Sequence, residues 1–224
     1  MDASTNGALL HEIEQSCGVR IKETRFVTEQ ATGVMYNSKH EIIGLSLHAC
    51  GLAELPDPVL ELPTLKILYL VDNQIRKLPA TIARLSNLQK LDLWGNQLSA
   101  LPDAIGELSQ LKKLYLTGTE PRRGGEEVVL GNALTTLPDS IGNLQSLELL
   151  NVASNRLRWL PDSIGRLANL KSLYLQDNAI ESIPETIGNL DSLQVLDLGK
   201  NKITRLPDSI GNLGHLEQLL AYQN

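Results

Sequence analysis

The sequence predicts a solenoid of the α/β class, a right-handed coil with a parallel sheet on its concave side and short helical or 3₁₀ turns on its convex side. The first observation is a period: leucines recur at steps of 23 residues from Leu65 to Leu88 and Leu111. The second is the pattern that each step begins, L-x-x-L-x-L-x-x-N-x-L. Its paired leucines point to one side of an extended chain, as in a strand. Because one coil alone exposes its leucines, neighbouring coils must stack.

Each copy of the pattern predicts one strand, so we expect a sheet of about eight parallel strands from the repeats. The strands should centre near residues 45–47, 68–70, 91–93, 114–116, 150–152, 173–175, 196–198 and 219–221. The asparagine column should be structural, because a buried amide can satisfy backbone groups where the chain leaves the strand. Its members are Asn73, Asn96, Asn132, Asn155, Asn178, Asn201 and Asn224, with Cys50 in the first coil.

The second half of each repeat predicts a short helical turn. It is clearest as Leu-Pro-Asp-Ser-Ile-Gly-Asn-Leu at 137–144 and again at 206–213. Proline suits a first helical turn because it lacks an amide hydrogen. We expect a recurrent glycine to end each turn with a positive φ, at Gly106, Gly142, Gly165, Gly188 and Gly211.

The two ends depart from the period. Residues 1–40 should form an N-terminal capping segment, with a helix through Leu9, Ile13 and Cys17 and a hairpin of strands 33–36 and 41–47. Residues 41–224 form the array of about eight coils. The last copy stops at Asn224 without a second half, and three explanations compete: a fragment of a longer array, a dimer through that end, or a frayed terminus. We favour the fragment.

One coil contains an insertion at 117–131, because Leu111 to Leu147 spans 36 positions instead of 23. This loop follows a strand and should emerge at the rim of the concave sheet, with Arg122 and Arg123 near its tip. Long loops in compact arrays are usually functional or disordered. A contact loop and a tolerated insertion remain equal alternatives.

Composition excludes several functional classes. A net charge of −6 with no basic stripe argues against nucleic-acid binding. The sequence has no apolar run long enough for a membrane span and no secretory signal, so we expect no membrane partner and a cytoplasmic location. Cys17 and Cys50 are expected to be free thiols. The histidines are isolated and there is no phosphate-binding loop, so we expect no metal, no cofactor and no enzymatic activity.

The repeated pattern resembles that of the leucine-rich repeat family over residues 41–224. Its Ile-Gly-x-Leu version is similar to the 23-residue Ras-group type of plant intracellular proteins, animal Ras-signalling scaffolds and bacterial proteins. The resemblance implies a scaffold that binds a protein partner, such as a small GTPase or another signalling protein, on the concave face. The alternative is the recognition arm of a larger signalling enzyme, such as a Roco-type GTPase, truncated at Asn224. Self-association through the open last coil is a further possibility.

Leucine-rich repeat proteins usually bind their partners on the concave sheet, so the resemblance indicates which residues of this chain would form the binding surface. Adjacent strands place aromatic and charged side chains about 5 Å apart, and such groups make good interface anchors. We expect them to face solvent and to form the main binding surface together with the loop tip. The predicted residues are Tyr69, Lys90, Asp92, Trp94, Lys113, Tyr115, Arg122, Arg123 and Tyr174.

Overall fold

The computed structural model of the protein describes residues 3–118 and 131–224, which contain a nine-stranded sheet ordered along the chain. The strands are β1 Gly33–Tyr36, β2 Ile42–Ser46, β3 Ile67–Tyr69, β4 Lys90–Asp92, β5 Lys113–Tyr115, β6 Leu149–Asn151, β7 Ser172–Tyr174, β8 Val195–Asp197 and β9 Gln218–Leu220. The α-helices are α1 Ala3–Cys17 and α2 Asp57–Leu60. The 3₁₀ helices are Ala80–Arg84, Asp103–Glu107, Asp139–Asn143, Asp162–Arg166, Glu185–Asn189 and Asp208–Asn212.

The register of the sheet follows the repeat. Strands β2 to β9 pair in parallel, and equivalent leucines lie side by side, as with Leu45, Leu68 and Leu91. Strand β1 pairs antiparallel with β2, so the hairpin predicted at the N-terminus is present. Each three-residue strand begins one residue before its predicted span, as β4 does at Lys90. The predicted parallel solenoid with 3₁₀ turns opposite its sheet is therefore confirmed.

The leucine ladder fills one continuous core. Its members extend from Ile13 on α1 to Leu213, and most are fully buried. The concave face is the side of the sheet that carries the residues between these leucines, away from the 3₁₀ helices. In the last coil, Leu219 and Leu220 are more than two-fifths exposed. Within the described ranges, no helix combines the length and apolar character that crossing a bilayer requires.

The asparagine column links consecutive coils, as predicted. The Oδ1 atom of Asn96 accepts a hydrogen bond from the N–H of Ile75 at 3.0 Å. Its Nδ2 group donates to the carbonyl oxygens of Leu70 at 2.8 Å and Leu93 at 3.1 Å. Asn155 repeats this arrangement with the N–H of Leu134 and the carbonyl of Leu116. These amides satisfy backbone groups that the turn would otherwise leave unpaired inside the core.

The recurrent glycines have a different role from the one predicted. Among the described glycines, positive φ angles occur at Gly18, Gly51 and Gly95, so the expectation for the 3₁₀ glycines is wrong. Gly142 lies inside a 3₁₀ helix and packs against the backbone of the next coil. A Cβ atom there would lie 2.8 Å from the Cβ of Ser163 and closer still to its carbonyl oxygen. At position 142 glycine is needed because the next coil approaches too closely for a side chain there.

The cysteines are free thiols at the joint between α1 and the first coil. Cys17 is buried in the main core, and Cys50, in the asparagine column, packs against that core. The proximity of the two thiols raises the pKa of Cys17 and lowers that of Cys50. The Sγ atom of Cys50 donates a hydrogen bond to the carbonyl oxygen of His48 at 3.6 Å, a local backbone contact of the kind that Asn96 makes with Trp94.

A segment between α1 and β1, residues 19–32, crosses onto the concave face; we call it the N-terminal arm. Its Val27 is buried with Tyr69 and Val71 in a small apolar cluster separate from the main core. A Cβ atom on Gly44 would lie 2.8 Å from a methyl group of Val27. The arm thus covers the concave side of β2 and β3. The repeat pattern gave no indication of this cover, because the arm lies outside the period.

Candidate interaction site on the concave face

Lys90 lies between two tyrosines from adjacent strands. Its Nζ group donates a hydrogen bond to the Tyr69 hydroxyl at 2.9 Å. It also lies 4.6 Å from the centroid of the Tyr69 ring and 4.9 Å from that of Tyr115. Burial alone would lower the pKa of Lys90, but the hydrogen bond to Tyr69 and the nearby negative charge raise it above its ordinary value. This ammonium group is therefore charged and already held within the chain.

A cavity of about 290 Å³ opens beside this group on the same face. Its walls come from three neighbouring coils, the following strand β6 and the tip of the N-terminal arm. The lining residues are Glu29, Val71, Asp92, Trp94, Tyr115, Thr117 and Asn151. The indole of Trp94 is the large apolar wall, and 39% of this residue is exposed. The cavity therefore combines an accessible aromatic surface with two carboxylates.

Asp92 sits at the floor of the cavity and is only 7% exposed. Its Oδ1 atom accepts a hydrogen bond from the N–H of Trp94 at 3.2 Å. Two strands away, at the equivalent position, the Oδ1 atom of Asn151 accepts the same kind of hydrogen bond from the N–H of Ala153 at 3.1 Å. Burial raises the pKa of the Asp92 carboxyl, and the Trp94 hydrogen bond and Lys90 only partly offset this effect. The charged form of Asp92 is thus poorly solvated in the free protein.

We expect Asp92→Asn to increase the free energy of unfolding at neutral pH. A carboxyl whose pKa is raised on folding favours the folded state when protonated, so the native chain loses this contribution as pH rises above about 4. The asparagine variant has no such proton to lose, and Asn151 shows that the fold accepts an amide here. Urea unfolding at several pH values should give a stability advantage that grows with pH. A pH-independent difference would contradict the assignment.

Two residues expected to face solvent do not. Tyr69 is 6% exposed because Val27 of the arm covers it, and Asp92 is enclosed by its neighbours and the arm. The expectation of exposure is therefore wrong for Tyr69 and Asp92. The part of both residues in binding stays a prediction. Because Tyr69 is covered, it would act only by holding the Lys90 side chain in place.

The other predicted residues are spread along the face. Lys113 is exposed and lies next to Lys90 in the register of β4 and β5. Tyr174 is half-buried in the column of Tyr115, with Asn151 between them. Arg122 and Arg123 lie outside the described residues. The structure thus brings Tyr69, Lys90 and Tyr115 into contact, and it places Asp92, Trp94 and Tyr115 around the cavity.

Glu29 is the site residue that sequence reasoning missed. It lines the cavity from the arm, opposite the strands that supply the other walls. Val71, Thr117 and Asn151 lie in concave columns that the repeat pattern identifies, so their position could be anticipated. The position of Glu29 could not, because no pattern in residues 19–32 sets the path of the arm.

A larger cavity of about 880 Å³ lies elsewhere, between the end of α1 and the loops after β2 and β3. Its lining runs mostly through residues 51–58 and includes Arg76 and Lys77 but no aromatic side chain. Aromatic side chains in pockets are among the main anchors of binding energy at interfaces, and of these two cavities only the smaller one has them. The smaller cavity at Trp94 is therefore the better candidate. Among the described residues, no group of three His, Cys, Asp or Glu side chains is arranged to hold a metal ion.

Comparisons with known families agree with this architecture. Residues 45–120 match the family model described as leucine rich repeat, and residues 164–224 match the one described as leucine-rich repeat region. A comparison with curated proteins gives no significant match. Leucine-rich repeat domains are generally binding modules without catalytic activity.

Several solved structures are similar to this chain. A leucine-rich repeat protein of Leptospira interrogans is 32% identical, with 86% of this chain and 50% of that one covered and a TM-score of 0.58. The ectodomain of the Arabidopsis thaliana receptor kinase GASSHO1/SCHENGEN3, in complex with CASPARIAN STRIP INTEGRITY FACTOR 2, is 27% identical, covering 96% and 26%, with a TM-score of 0.73.

The PEPR1–AtPEP1 complex gives 28% identity, coverage of 98% of this chain and 31% of that one, and a TM-score of 0.71. The chain thus spans about half the length of the Leptospira protein and about a quarter to a third of the two receptor chains. The matched repeats, the parallel sheet with its 3₁₀ turns and the asparagine column lead to one conclusion: the chain is a leucine-rich repeat protein.

Proposed function

We propose that this protein is a scaffold that binds a partner protein on its concave face, centred on Trp94. The observation that carries the proposal is the exposed Trp94 indole beside a cavity on a continuously hydrogen-bonded sheet. Large aromatic side chains on a rigid support lose little entropy on binding and make effective anchors. Two similar solved structures are complexes, of GASSHO1/SCHENGEN3 with CASPARIAN STRIP INTEGRITY FACTOR 2 and of PEPR1 with AtPEP1, and they support binding as the general role.

The proposed surface extends beyond the cavity. Lys113 and Tyr174 face the same side and would contact the partner around Trp94, whereas Lys90 would contribute its charge from between the tyrosines. Arg122 and Arg123 complete the proposed surface. We further propose that the chain belongs to the Ras-group type and acts in the cytoplasm in signalling. A recognition arm of a larger enzyme remains the alternative, and it predicts that the same gene also encodes an enzymatic domain.

Trp94→Ala should weaken partner binding by roughly 1–3 kcal/mol while leaving the fold intact. The loss arises because the indole supplies the large apolar contact of the cavity. A partner can be captured with the intact chain, and its dissociation constant can then be measured for each variant by titration calorimetry. Circular dichroism and urea unfolding check the fold.

Trp159→Ala provides a matched control. Trp159 is the other tryptophan, it is 53% exposed, and it lies after strand β6 and outside the sheet. Its removal should leave the dissociation constant unchanged. If the captured partner binds Trp94→Ala as tightly as the parent chain, the concave site around Trp94 is not the binding surface.

A further inference from the structure

Among the described residues, the lining of the cavity beside Trp94 contains two carboxylates and no lysine or arginine. Glu29 and Asp92 both line it, and they are close enough for Glu29 to raise the pKa of the Asp92 carboxyl. In the part of the chain that the structure describes, neither carboxylate has an ion-pair partner within 4.0 Å. Lys90 is near Asp92, but its ammonium group is hydrogen-bonded to Tyr69 and lies between two rings.

The aromatic walls of this cavity also suit a cation, in addition to its negative charge. The exposed indole of Trp94 and the ring of Tyr115 border the same space as the two carboxylates. Cations bind over aromatic faces, indole best of all, and arginine adds planar stacking and paired hydrogen bonds to a carboxylate. The adjoining concave positions, Val71 and Thr117, carry no positive charge.

The size of the cavity favours a single side chain. At about 290 Å³ it is at the lower limit of pockets that hold small-molecule ligands, which span about 300–1,000 Å³. An acidic side chain would be repelled by Glu29 and Asp92. An apolar one would exclude water from the Asp92 carboxylate without offering a partner, which is costly. A cationic side chain meets both requirements.

Resting on the proposed function, we propose that this cavity takes an arginine side chain of the partner protein, with the guanidinium stacked on Trp94 and paired with Glu29 and Asp92. The sheet would position the aromatic surface and the buried carboxylate, and the N-terminal arm would supply the second carboxylate. The arm thus helps to set which partner the concave face accepts. Lysine fits the charge but lacks the planar group, so it should bind less well.

The test uses the full chain and four matched peptides, acetyl-Gly-Ser-X-Ser-Gly-amide, in which X is arginine, lysine, citrulline or glutamate. Citrulline has nearly the shape of arginine without its charge. The measured signals are the indole N–H resonances of Trp94 and Trp159, assigned with Trp159→Phe. We expect the arginine peptide to shift the Trp94 signal alone and to bind about tenfold more tightly than the citrulline peptide. The lysine peptide should be intermediate, and the glutamate peptide should give no shift.

Variants of the two carboxylates identify the source of this preference. Glu29→Gln and Asp92→Asn should each remove most of the preference for arginine over citrulline. Glu23→Gln is the control, because Glu23 is an exposed carboxylate on the same arm that does not line the cavity. Asp92→Asn is expected to fold, since Asn151 occupies the equivalent position two coils further along the chain.

The outcomes separate this inference from the proposed function. Equal binding of the arginine and citrulline peptides, unchanged preference in Glu29→Gln, or no shift with any peptide would overturn the arginine site. If Trp94→Ala still weakens binding of the captured partner in that case, the concave interaction surface stands without it. If Trp94→Ala has no effect on the partner, the proposed function itself fails.

Discussion

Replacing Gly142 by alanine should lower the free energy of unfolding by about 3 kcal/mol, at the upper end of the usual cost of overpacking. The added methyl group would lie 2.8 Å from the Cβ of Ser163 and would collide with the carbonyl oxygen of that residue. Both atoms belong to Ser163 in the next 3₁₀ helix, Asp162–Arg166, so neither can move without separating two coils. The measurement is a urea unfolding curve, in which the midpoint should shift strongly with little change in slope.

Gly211 offers a control in the same repeat position. It lies in the 3₁₀ helix Asp208–Asn212, and no atom lies within 4 Å of a Cβ placed there. Gly211→Ala should leave stability unchanged or raise it by less than about 1 kcal/mol, because alanine restricts the unfolded chain. Equal losses at Gly142 and Gly211 would show that backbone conformation, and not the approach of the next coil, explains the glycine.

Asn96→Ala should have a comparable effect, a loss of about 3 kcal/mol. The Asn96 side chain is fully buried, and its removal takes hydrogen bonds from the N–H of Ile75 and the carbonyl oxygens of Leu70 and Leu93. Buried backbone groups left without a partner typically cost about 1–3 kcal/mol. The same urea unfolding experiment measures this loss.

The loss of stability on replacing an asparagine of the column by alanine should decrease as the asparagine becomes more exposed. Asn155 makes equivalent bonds but is half-buried, so Asn155→Ala should cost about 2 kcal/mol, since water can replace part of what is lost. Asn224 bonds Ile203 and Leu198 in the same way but is exposed, and its replacement should cost less than about 1 kcal/mol. Three equal losses would contradict the role assigned to the buried amide.

The repeating part of this architecture could be predicted from the sequence. The step of 23 residues and the alternation of leucine with an outward-facing residue, as in Leu91-Asp92-Leu93, define the strands. The asparagines could be assigned as structural from their spacing alone. The recurrent glycine at position 142 could be located from the sequence, but its role could not be determined. Glycine is required there by a contact with the following coil. A contact between coils depends on how closely they stack, which a single repeat does not contain.

The candidate site was predictable only where it belongs to the repeat. Trp94, Tyr115 and Asp92 are placed on one face by register, and all three line the cavity. The sequence did not indicate that the arm would bury Tyr69 or bring Glu29 beside Trp94, because residues 19–32 lie outside the period. One of the two carboxylates of the cavity therefore comes from the non-repeating segment, and it is the one that the sequence could not place.

The most direct test of the concave site uses the fact that the chain has two tryptophans, Trp94 and Trp159. The variant Trp159→Phe leaves Trp94 as the reporter, and Trp94→Phe leaves Trp159. On adding the partner, Trp94 fluorescence should shift to shorter wavelength and become protected from acrylamide quenching, whereas Trp159 should remain as accessible as before. Protection of Trp159 with Trp94 still open to the quencher would contradict the account, because the partner would then bind away from the concave face.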